Sequence, residues 1–172
     1  MSFLDLAKQR YSTRLYQAKP VSKGDLDLIL EAARVAPTGA NRQPFRLIVI
    51  QGAQALAKVA QGANTFGAPL VIITCANHHE SWKRSFDGKD IADIDASIVT
   101  THMMLQAAEL GLGSVWICKF DPAVIREACQ IPEHIEPVNI LSIGYEAGTP
   151  KSPDRHATQR RPIEEFVINE TF

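Results

Sequence analysis

Two stretches of the sequence are mostly apolar, with no alternation of apolar and polar residues, and they constrain the fold more than any other feature. They are 70–76 (LVIITCA) and 138–145 (VNILSIGY). A strand with one solvated face alternates apolar and polar residues, and neither stretch does so. Continuous apolar runs of this length are typical of strands in a sheet that is covered on both faces. We therefore expect a central sheet with helices packed against each side.

Helical and strand patterns alternate along the rest of the chain. Apolar residues repeat with helical spacing over 91–110, and Gly111 follows the end of this helix. Ser22 and Asp25 form a relaxed capping box for another helix, which stops before Pro37. Shorter helices are predicted over 2–10, 53–61 and 121–130, strands over 45–51 and 114–118, and a long loop or lid over 77–90. The pattern predicts an α+β domain or a three-layer α/β domain.

Charge and composition exclude several classes of function. Eighteen basic and 19 acidic residues among 172 give a net charge of −1, which argues against a nucleic-acid-binding protein that depends on phosphate contacts. The apolar runs are well short of the ~20 residues that a membrane-spanning helix needs. Residues 1–10 begin an amphipathic helix that contains Asp5, unlike a secretory signal. We expect a cytoplasmic protein that binds neither nucleic acid nor membrane, with one domain over 1–172.

A cluster of cations at the end of the first predicted helix is the most informative polar feature. Lys8, Arg10, Ser12 and Arg14 lie within seven residues. Guanidinium groups with a hydroxyl between them suit a phosphate, because they offer forked donors and one further hydrogen bond. The alternative is a solvated helix terminus, where cations favourably meet the negative end of the helix dipole. Spacing alone favours the second explanation.

The other polar groups give weaker evidence for a functional site. The second basic run, 155–161, reads by itself as a solvated charged segment, and the adjacent histidines at 78–79 lack a second ligand pair. His102 is expected to be packed, and Cys118 to be a small buried apolar residue. Three cysteines without CxxC spacing indicate neither a disulfide scaffold nor structural zinc. No metal site is predicted.

Five segments, taken together and in order, resemble the nitroreductase family of flavin enzymes, specifically its short members. Residues 10–14 (RYSTR) resemble its R-R-S-x-R signature, and residues 36–44 (APTGANRQP) its A-P-S-x-x-N-x-Q-P loop. Residues 107–121 (AAELGLGSVWICKFD) resemble its A-A-x-x-L-G-L-G-x-x-W-I segment. Residues 141–146 (LSIGYE) and 160–167 (RRPIEEFV) resemble its closing strand and its final R-R/K-P-L-E-E.

The resemblance implies a nitroreductase-like α/β/α sandwich with a mixed central sheet. It also implies a homodimer with FMN at the subunit interface and a C-terminal arm, about 147–172, that is exchanged between subunits. Independently of the resemblance, apolar residues near the end of the chain follow a long polar connection, so we expect them to pack at a distance, for example on a partner.

The resemblance also implies which residues bind FMN. Arg10, Ser12 and Arg14 would contact the phosphate and ribityl chain, with Arg160 completing the phosphate clamp. Pro37, Thr38 and Asn41 would come from the other subunit, and the strand residues after position 115 would run along the ring. The full predicted set is Arg10, Tyr11, Ser12, Arg14, Pro37, Thr38, Asn41, Gln43, Asn64, Trp116, Ile117, Cys118, Lys119, Arg160 and Arg161.

The implied activity is hydride transfer from NAD(P)H through flavin N5 to a nitroaromatic, quinone or other conjugated acceptor, in a ping-pong reaction. Such chemistry needs no protein nucleophile or general base, and none is assigned. Two departures affect the implied site: Tyr11 replaces the second arginine of the signature, and Cys118 and Lys119 stand where larger members often carry an acidic residue and glycine. The alternatives are a flavin-binding sensor or handling module without nicotinamide turnover, and an α+β domain without flavin.

Overall fold

A four-stranded antiparallel sheet forms the centre of the molecule. The computed structural model describes all 172 residues. The strands are β1 (Phe45–Ile50), β2 (Leu70–Asn77), β3 (Gly113–Ile117) and β4 (Ile135–Gly144), in the spatial order β1-β2-β4-β3. Each neighbouring pair is antiparallel, so the expectation of a mixed sheet was wrong. A continuous apolar run reports burial of both faces but carries no information about strand direction.

The chain has six helices. Each helix that the sequence predicted lies within two residues of its predicted boundaries. The six are α1 (Phe3–Gln9), α2 (Lys23–Val35), α3 (Ala53–Val59), α4 (Ala92–Glu109), α5 (Pro122–Cys129) and α6 (His156–Gln159), with short 3₁₀ segments at Gly39–Asn41, Pro153–Arg155 and Ile163–Glu165. The expected caps are present. The Ser22 hydroxyl accepts from the Asp25 amide at 3.0 Å, and Asp121 accepts from the Ala123 and Val124 amides ahead of α5.

Successive residues of β2 point into two separate apolar clusters, which explains why the whole strand is apolar. Leu70 and Ile72 lie in a cluster that α2 and α4 cover, whereas Val71 and Ile73 lie in a cluster that α3 and α5 cover. All four residues are fully buried. Burial of each such side chain stabilises the fold by about 1.5–3 kcal/mol, so the sheet cannot lose either helical cover.

The segment after α1 runs along the start of β3. Ser12 forms a parallel bridge with Ser114, and the Thr13 amide donates to the Ser114 carbonyl at 2.9 Å. Gly113 permits this approach, because a Cβ there would lie 2.5 Å from the Thr13 hydroxyl oxygen. The contact brings residues 10–14, from the N-terminal part of the chain, beside β3, which contains residues 116 and 117 and is followed by residues 118 and 119.

The last residues make few contacts with the rest of the chain. Residues from 161 onward are all exposed, including Ile163 (68% exposed) and Phe166 (61%). The loop over 77–90 is present as predicted, with a bridge between Lys83 and Asp90 near its base. None of the helices combines sufficient length with sufficient apolar character to pass through a bilayer.

Candidate functional site

An open cleft of about 1510 Å³ lies between α3 and the segment that follows β3. Alanines of α3 and the neighbouring residues 61–68 form one side, and residues 115–121 form the other. Six residues of the predicted site line it: Arg14, Asn64, Trp116, Ile117, Cys118 and Lys119. We call this the main cleft. Such a cleft, mostly apolar with a few polar groups, is the usual form of a site for a planar ligand.

The polar groups of the main cleft lie at its edges. The Arg14 guanidinium stands 5.7 Å from the centre of the Phe66 ring, a cation–π contact, and pairs with no carboxylate. Asn64 accepts from the Phe66 amide at 3.0 Å through Oδ1, which leaves its amide nitrogen without a partner in the chain. Lys119 is exposed. The cleft therefore offers an apolar surface with donors and positive charge beside it.

Cys118 is exposed in this cleft, so the expectation that it would be a buried apolar residue was wrong. The Trp116 indole donates to the Cys118 sulfur at 3.2 Å. The pattern of β3 suggested burial, but the strand ends at Ile117, and the two residues that follow point into open space rather than into the core. Cys118 is thus an accessible thiol on the wall of the main cleft.

Three arginines from the two ends of the chain meet next to residues 10–14. The Arg155 guanidinium donates to the Arg10 carbonyl at 2.8 Å. Arg160 donates to His156 at 3.3 Å, and the His156 ring in turn lies 3.2 Å from the Lys8 carbonyl. Burial, and then the positive charges of Arg155 and Arg160, lower the pKa of Arg10. We call Arg10, Arg155 and Arg160 the arginine cluster.

The arginine cluster has no counter-charge within the chain, because the ion pairs of the structure involve other residues. Like charges repel one another, and Arg10 and Arg155 are half-buried, so the convergence of the three arginines is unfavourable unless an anion joins them. A phosphate accepts several forked hydrogen bonds from guanidinium groups and is the anion that such a cluster fits best. The donor set therefore suits the phosphate of a mononucleotide, while the main cleft suits a planar ring.

The sequence does not single out Arg155, because residues 155–161 have the pattern of a solvated charged segment and the family resemblance indicates only Arg160 and Arg161 within it. Its contact with Arg10 joins residues 145 positions apart, and no local pattern indicates it. The one sequence feature that could have indicated a role for Arg155 is its position in the basic segment 155–161. Arg161, in contrast, is exposed and makes no side-chain hydrogen bond within the chain.

Tyr11 and Ser12 lie between the arginine cluster and the main cleft. The Arg155 guanidinium stands 5.8 Å from the centre of the Tyr11 ring, and the Tyr11 hydroxyl is buried without a hydrogen-bond partner. Ser12 is half-buried beside β3. These two residues connect the cationic part of the candidate site to its apolar part.

The predicted residues of 37–44 do not line the main cleft of their own chain. Pro37, Thr38, Asn41 and Gln43 belong to the loop between α2 and β1, which packs near the start of α4. The Gln43 amide donates to the Thr38 hydroxyl at 3.0 Å, and the Gln43 side chain donates to Asn41. Their separation from the cleft is compatible with the expectation that they act on a second subunit.

One group of metal-ligating residue types lies elsewhere, at the base of the 77–90 loop. Ligand atoms of His78, Asp93 and Glu136 lie within 4.8 Å of one another. Both ring nitrogens of His78 already face carboxylates, Asp90 at 3.2 Å and Glu136 at 2.8 Å. The arrangement is an ion-pair network between the loop, α4 and β4.

Comparisons with known proteins match nearly the whole chain. The Nitroreductase family model matches residues 7–64 and 56–145. A crystal structure of a nitroreductase family protein from Clostridium difficile 630 is 53% identical, with a TM-score of 0.98 and full coverage of both chains. An FMN-dependent nitroreductase from another strain of that species is 29% identical, with a TM-score of 0.85 over 99% of this chain and 100% of its own. The FMN reductase [NAD(P)H] of Bacillus subtilis is 27% identical over 175 residues, which cover 91% of this chain and 68% of the relative.

Proposed function

Because this chain belongs to the nitroreductase family and is an oxidoreductase that uses FMN, we propose that it transfers hydride from NAD(P)H to a nitroaromatic, quinone or other conjugated acceptor. One observation carries this proposal. The arginine cluster and the main cleft lie at opposite ends of the same short segment, residues 10–14, so a single mononucleotide can place its phosphate at one and its ring in the other.

The residues divide into three groups according to the part of FMN that they suit. Arg10, Arg155 and Arg160 would hold the phosphate, with Ser12 beside the ribityl chain. Asn64 and Lys119 would face the polar edge of the ring, and so would Arg14, which the resemblance placed at the phosphate and ribityl chain. The strand residues Trp116 and Ile117, with Cys118 directly after them, would lie along the ring. The buried Tyr11 hydroxyl, which lacks a partner in the chain, would complete the set.

The chemistry that FMN supplies when bound is the acceptance of a hydride at N5 from NAD(P)H and its delivery to the second substrate, in ping-pong order. The chain contributes binding, orientation and charge. Positive charges of Arg14 and Lys119 in the cleft favour electron uptake by a bound heterocycle, as the donors of an oxyanion hole favour developing negative charge. The apolar wall of α3, which includes Ala53, Leu56 and Ala57, would cover the opposite side of a bound ring. No side chain is required as nucleophile or general base.

We further propose that the working form is a homodimer in which the site is completed by the partner. The partner would supply the loop that carries Pro37, Thr38, Asn41 and Gln43. The C-terminal arm, residues 147–172, would pack across the partner. Each subunit would form a three-layer α/β/α sandwich. The exposed apolar residues at the end of the chain support this proposal, since about half or more of the surface of Ile163, Phe166 and Ile168 is exposed in the single chain. Exposed apolar side chains in this number are typical of an interface.

Anaerobic reduction tests the proposed activity. The purified full-length chain, saturated with FMN, is mixed with NADH or NADPH while the visible flavin absorption is recorded, and a nitroaromatic or a quinone is then added. We expect the absorption to bleach with at least one nicotinamide and to return with the acceptor. A flavin that stays oxidised with both nicotinamides would contradict the proposal and favour a flavin-binding module without turnover.

A further inference from the structure

A carboxylate is buried at the start of α4, where it touches the loop between α2 and β1. Asp95 is only 1% exposed. Its Oδ1 accepts a hydrogen bond from the Gly39 amide at 2.9 Å, and its Oδ2 is buried without a partner in the chain. Burial raises the pKa of Asp95, and the hydrogen bond from Gly39 opposes that rise. The Gly39 amide is thus the one hydrogen-bond donor that the chain provides to this carboxylate.

Burial of a carboxyl group is unfavourable unless its hydrogen bonds are satisfied, and half of this one is not. An apolar residue of similar size at this position would avoid that cost. The carboxylate therefore contributes something other than stability of the core. The Asp95 side chain accepts a hydrogen bond from one group in the chain, the Gly39 backbone amide in the loop between α2 and β1.

That loop has an unusual backbone conformation. Ala40, Asn41 and Gln43 have positive φ values of 47°, 54° and 53°. The left-handed conformation is unfavourable for an ordinary residue, and it persists where the surrounding contacts enforce it. Two of these three residues, Asn41 and Gln43, belong to the predicted flavin-binding set.

Gly39 is fixed to its surroundings on two sides. Its amide is held by Asp95, and its Cα is so close to the residues before α4 that a Cβ would lie 2.4 Å from Ile91 Cδ1 and 3.3 Å from Trp82 Cβ. The next turn of the loop starts from this point, since the Arg42 amide donates to the Gly39 carbonyl at 3.0 Å. Gly39 is the anchor point from which the strained residues extend.

We propose that Asp95 is a positioning residue, which holds Gly39 so that the loop presents Thr38, Asn41 and Gln43 in the geometry that binds FMN. This inference rests on the proposed function of the loop. Asp95 touches neither flavin nor substrate in this account. It acts through its hydrogen bond to the backbone amide of Gly39. This role accounts for a buried carboxylate at a position where one of its two oxygens has no hydrogen-bond partner.

Asp95→Ala tests this inference, with Asp95→Asn as the conservative variant and Asp93→Ala as the matched control. Asp93 lies in the same turn of α4 and is exposed, so its removal changes the charge at the helix start without removing the hydrogen bond to the loop between α2 and β1. We expect Asp95→Ala to raise the Kd for FMN about tenfold. We expect Asp95→Asn, which keeps an oxygen acceptor, and Asp93→Ala to stay within about threefold of the wild type.

Hydrogen–deuterium exchange of the Gly39 amide, measured on the flavin-free full-length chain, provides a readout that does not depend on activity. We expect exchange to accelerate in Asp95→Ala and to stay slow in Asp95→Asn and Asp93→Ala. An unchanged FMN Kd in Asp95→Ala, or unchanged Gly39 exchange, would overturn the inference while FMN binding by the wild type still stands. A wild-type chain that does not bind FMN would instead overturn the proposed function, and the inference with it.

Discussion

At the scale of single residues, the arginine cluster shows how a departure from a sequence signature can be compensated in space. Tyr11 stands where the family signature has a second arginine, which suggests a clamp with one cation fewer. The Arg155 guanidinium lies over the Tyr11 ring and hydrogen-bonds the Arg10 carbonyl. A cation from the C-terminal part of the chain thus occupies the neighbourhood of the missing one.

Arg155→Ala is expected to weaken FMN binding about tenfold, since a hydrogen bond to a charged group contributes roughly 1.5–3 kcal/mol and Arg155 is partly exposed. Isothermal titration of the full-length chain with FMN measures the change. Arg34→Ala is the control, because Arg34 forms an exposed ion pair with Glu31 on α2. Equal affinities of the Arg155 variant and the wild type would show that Arg155 is outside the phosphate site.

Single residues also mark the limit of what the sequence predicts. Arg10 and Arg160 were predicted as partners because each belongs to a recognisable segment, and the structure brings them together. Asp95 was not identified, because an aspartate in the first turn of a helix is ordinarily a solvent-exposed residue that favours the helix dipole. Its burial depends on the Gly39 loop, which lies 56 positions away, and no local pattern encodes such a contact.

At the scale of elements, strands and helices were predictable because burial imposes periodicity on the residues themselves. Both faces of β2 are buried, and its apolar run correctly predicts a strand there. The helical spacing of apolar residues predicts α4 to within one residue at each end. The strand β4 begins three residues before its predicted start, because Glu136 interrupts the apolar pattern at an exposed position. The direction of the strands depends on the connections between them, which apolar patterns do not specify.

Truncation of Ile72 to alanine in β2 tests the central position of that strand. The side chain is fully buried in the cluster beneath α2 and α4, so the variant is expected to lose about 2–5 kcal/mol of the free energy of unfolding. Val49→Ala on the edge strand β1, where the side chain is exposed, should lose about 1 kcal/mol or less. Urea denaturation measures both, and similar losses would contradict this assignment of the core.

The stability that the ion pairs at the base of the 77–90 loop contribute depends on pH, because it depends on the charge of His78. Burial opposes a charge on His78, but hydrogen bonds and negative charges from Glu136 and Asp90 outweigh burial and raise the pKa of His78 above its ordinary value of 6.5. Asp93 and Lys83 are the other charged groups in this network. A raised pKa means that folding favours the protonated form, so this contribution to stability is complete below pH 6.5 and is lost as the pH rises through the raised pKa.

His78→Gln is therefore expected to reduce the loss of stability that the wild type shows as the pH rises above 6.5. Urea midpoints at several pH values measure it. His102→Gln is the control, since His102 bonds only the Ile98 carbonyl of its own helix. Parallel pH profiles of His78→Gln and the wild type would show that this network does not contribute.

At the scale of the whole molecule, the core around the sheet is buried, but apolar side chains of the C-terminal arm are exposed. Four strands and the helices around them bury the apolar residues of both clusters, whereas the C-terminal arm keeps its apolar side chains exposed. The sequence anticipated this, because the apolar residues follow a polar connection too long for local packing. In the proposed dimer they would pack on a second chain, and the pattern of apolar residues does not specify which surface they would cover.

Replacement of Ile163 and Phe166 by serine tests the proposed dimer. Both side chains are exposed, at 68% and 61%, so the fold of the single chain should persist while the dimer dissociates. Light scattering during size-exclusion chromatography measures the mass, and circular dichroism reports the fold. The matched control replaces Glu164 and Glu165 with serine, which changes the same segment without removing apolar area and should leave a dimer. A monomeric wild type would contradict the proposal.

The central claim is that the arginine cluster binds the phosphate of a flavin whose ring lies in the main cleft. Titration of the full-length wild type and of the double variant Arg10→Ala/Arg160→Ala with FMN and with riboflavin, which lacks the phosphate, tests it most directly. We expect the wild type to prefer FMN about 100-fold or more, and the double variant about tenfold or less, with similar riboflavin affinities in both proteins. An equal preference for FMN in the two proteins would contradict the claim.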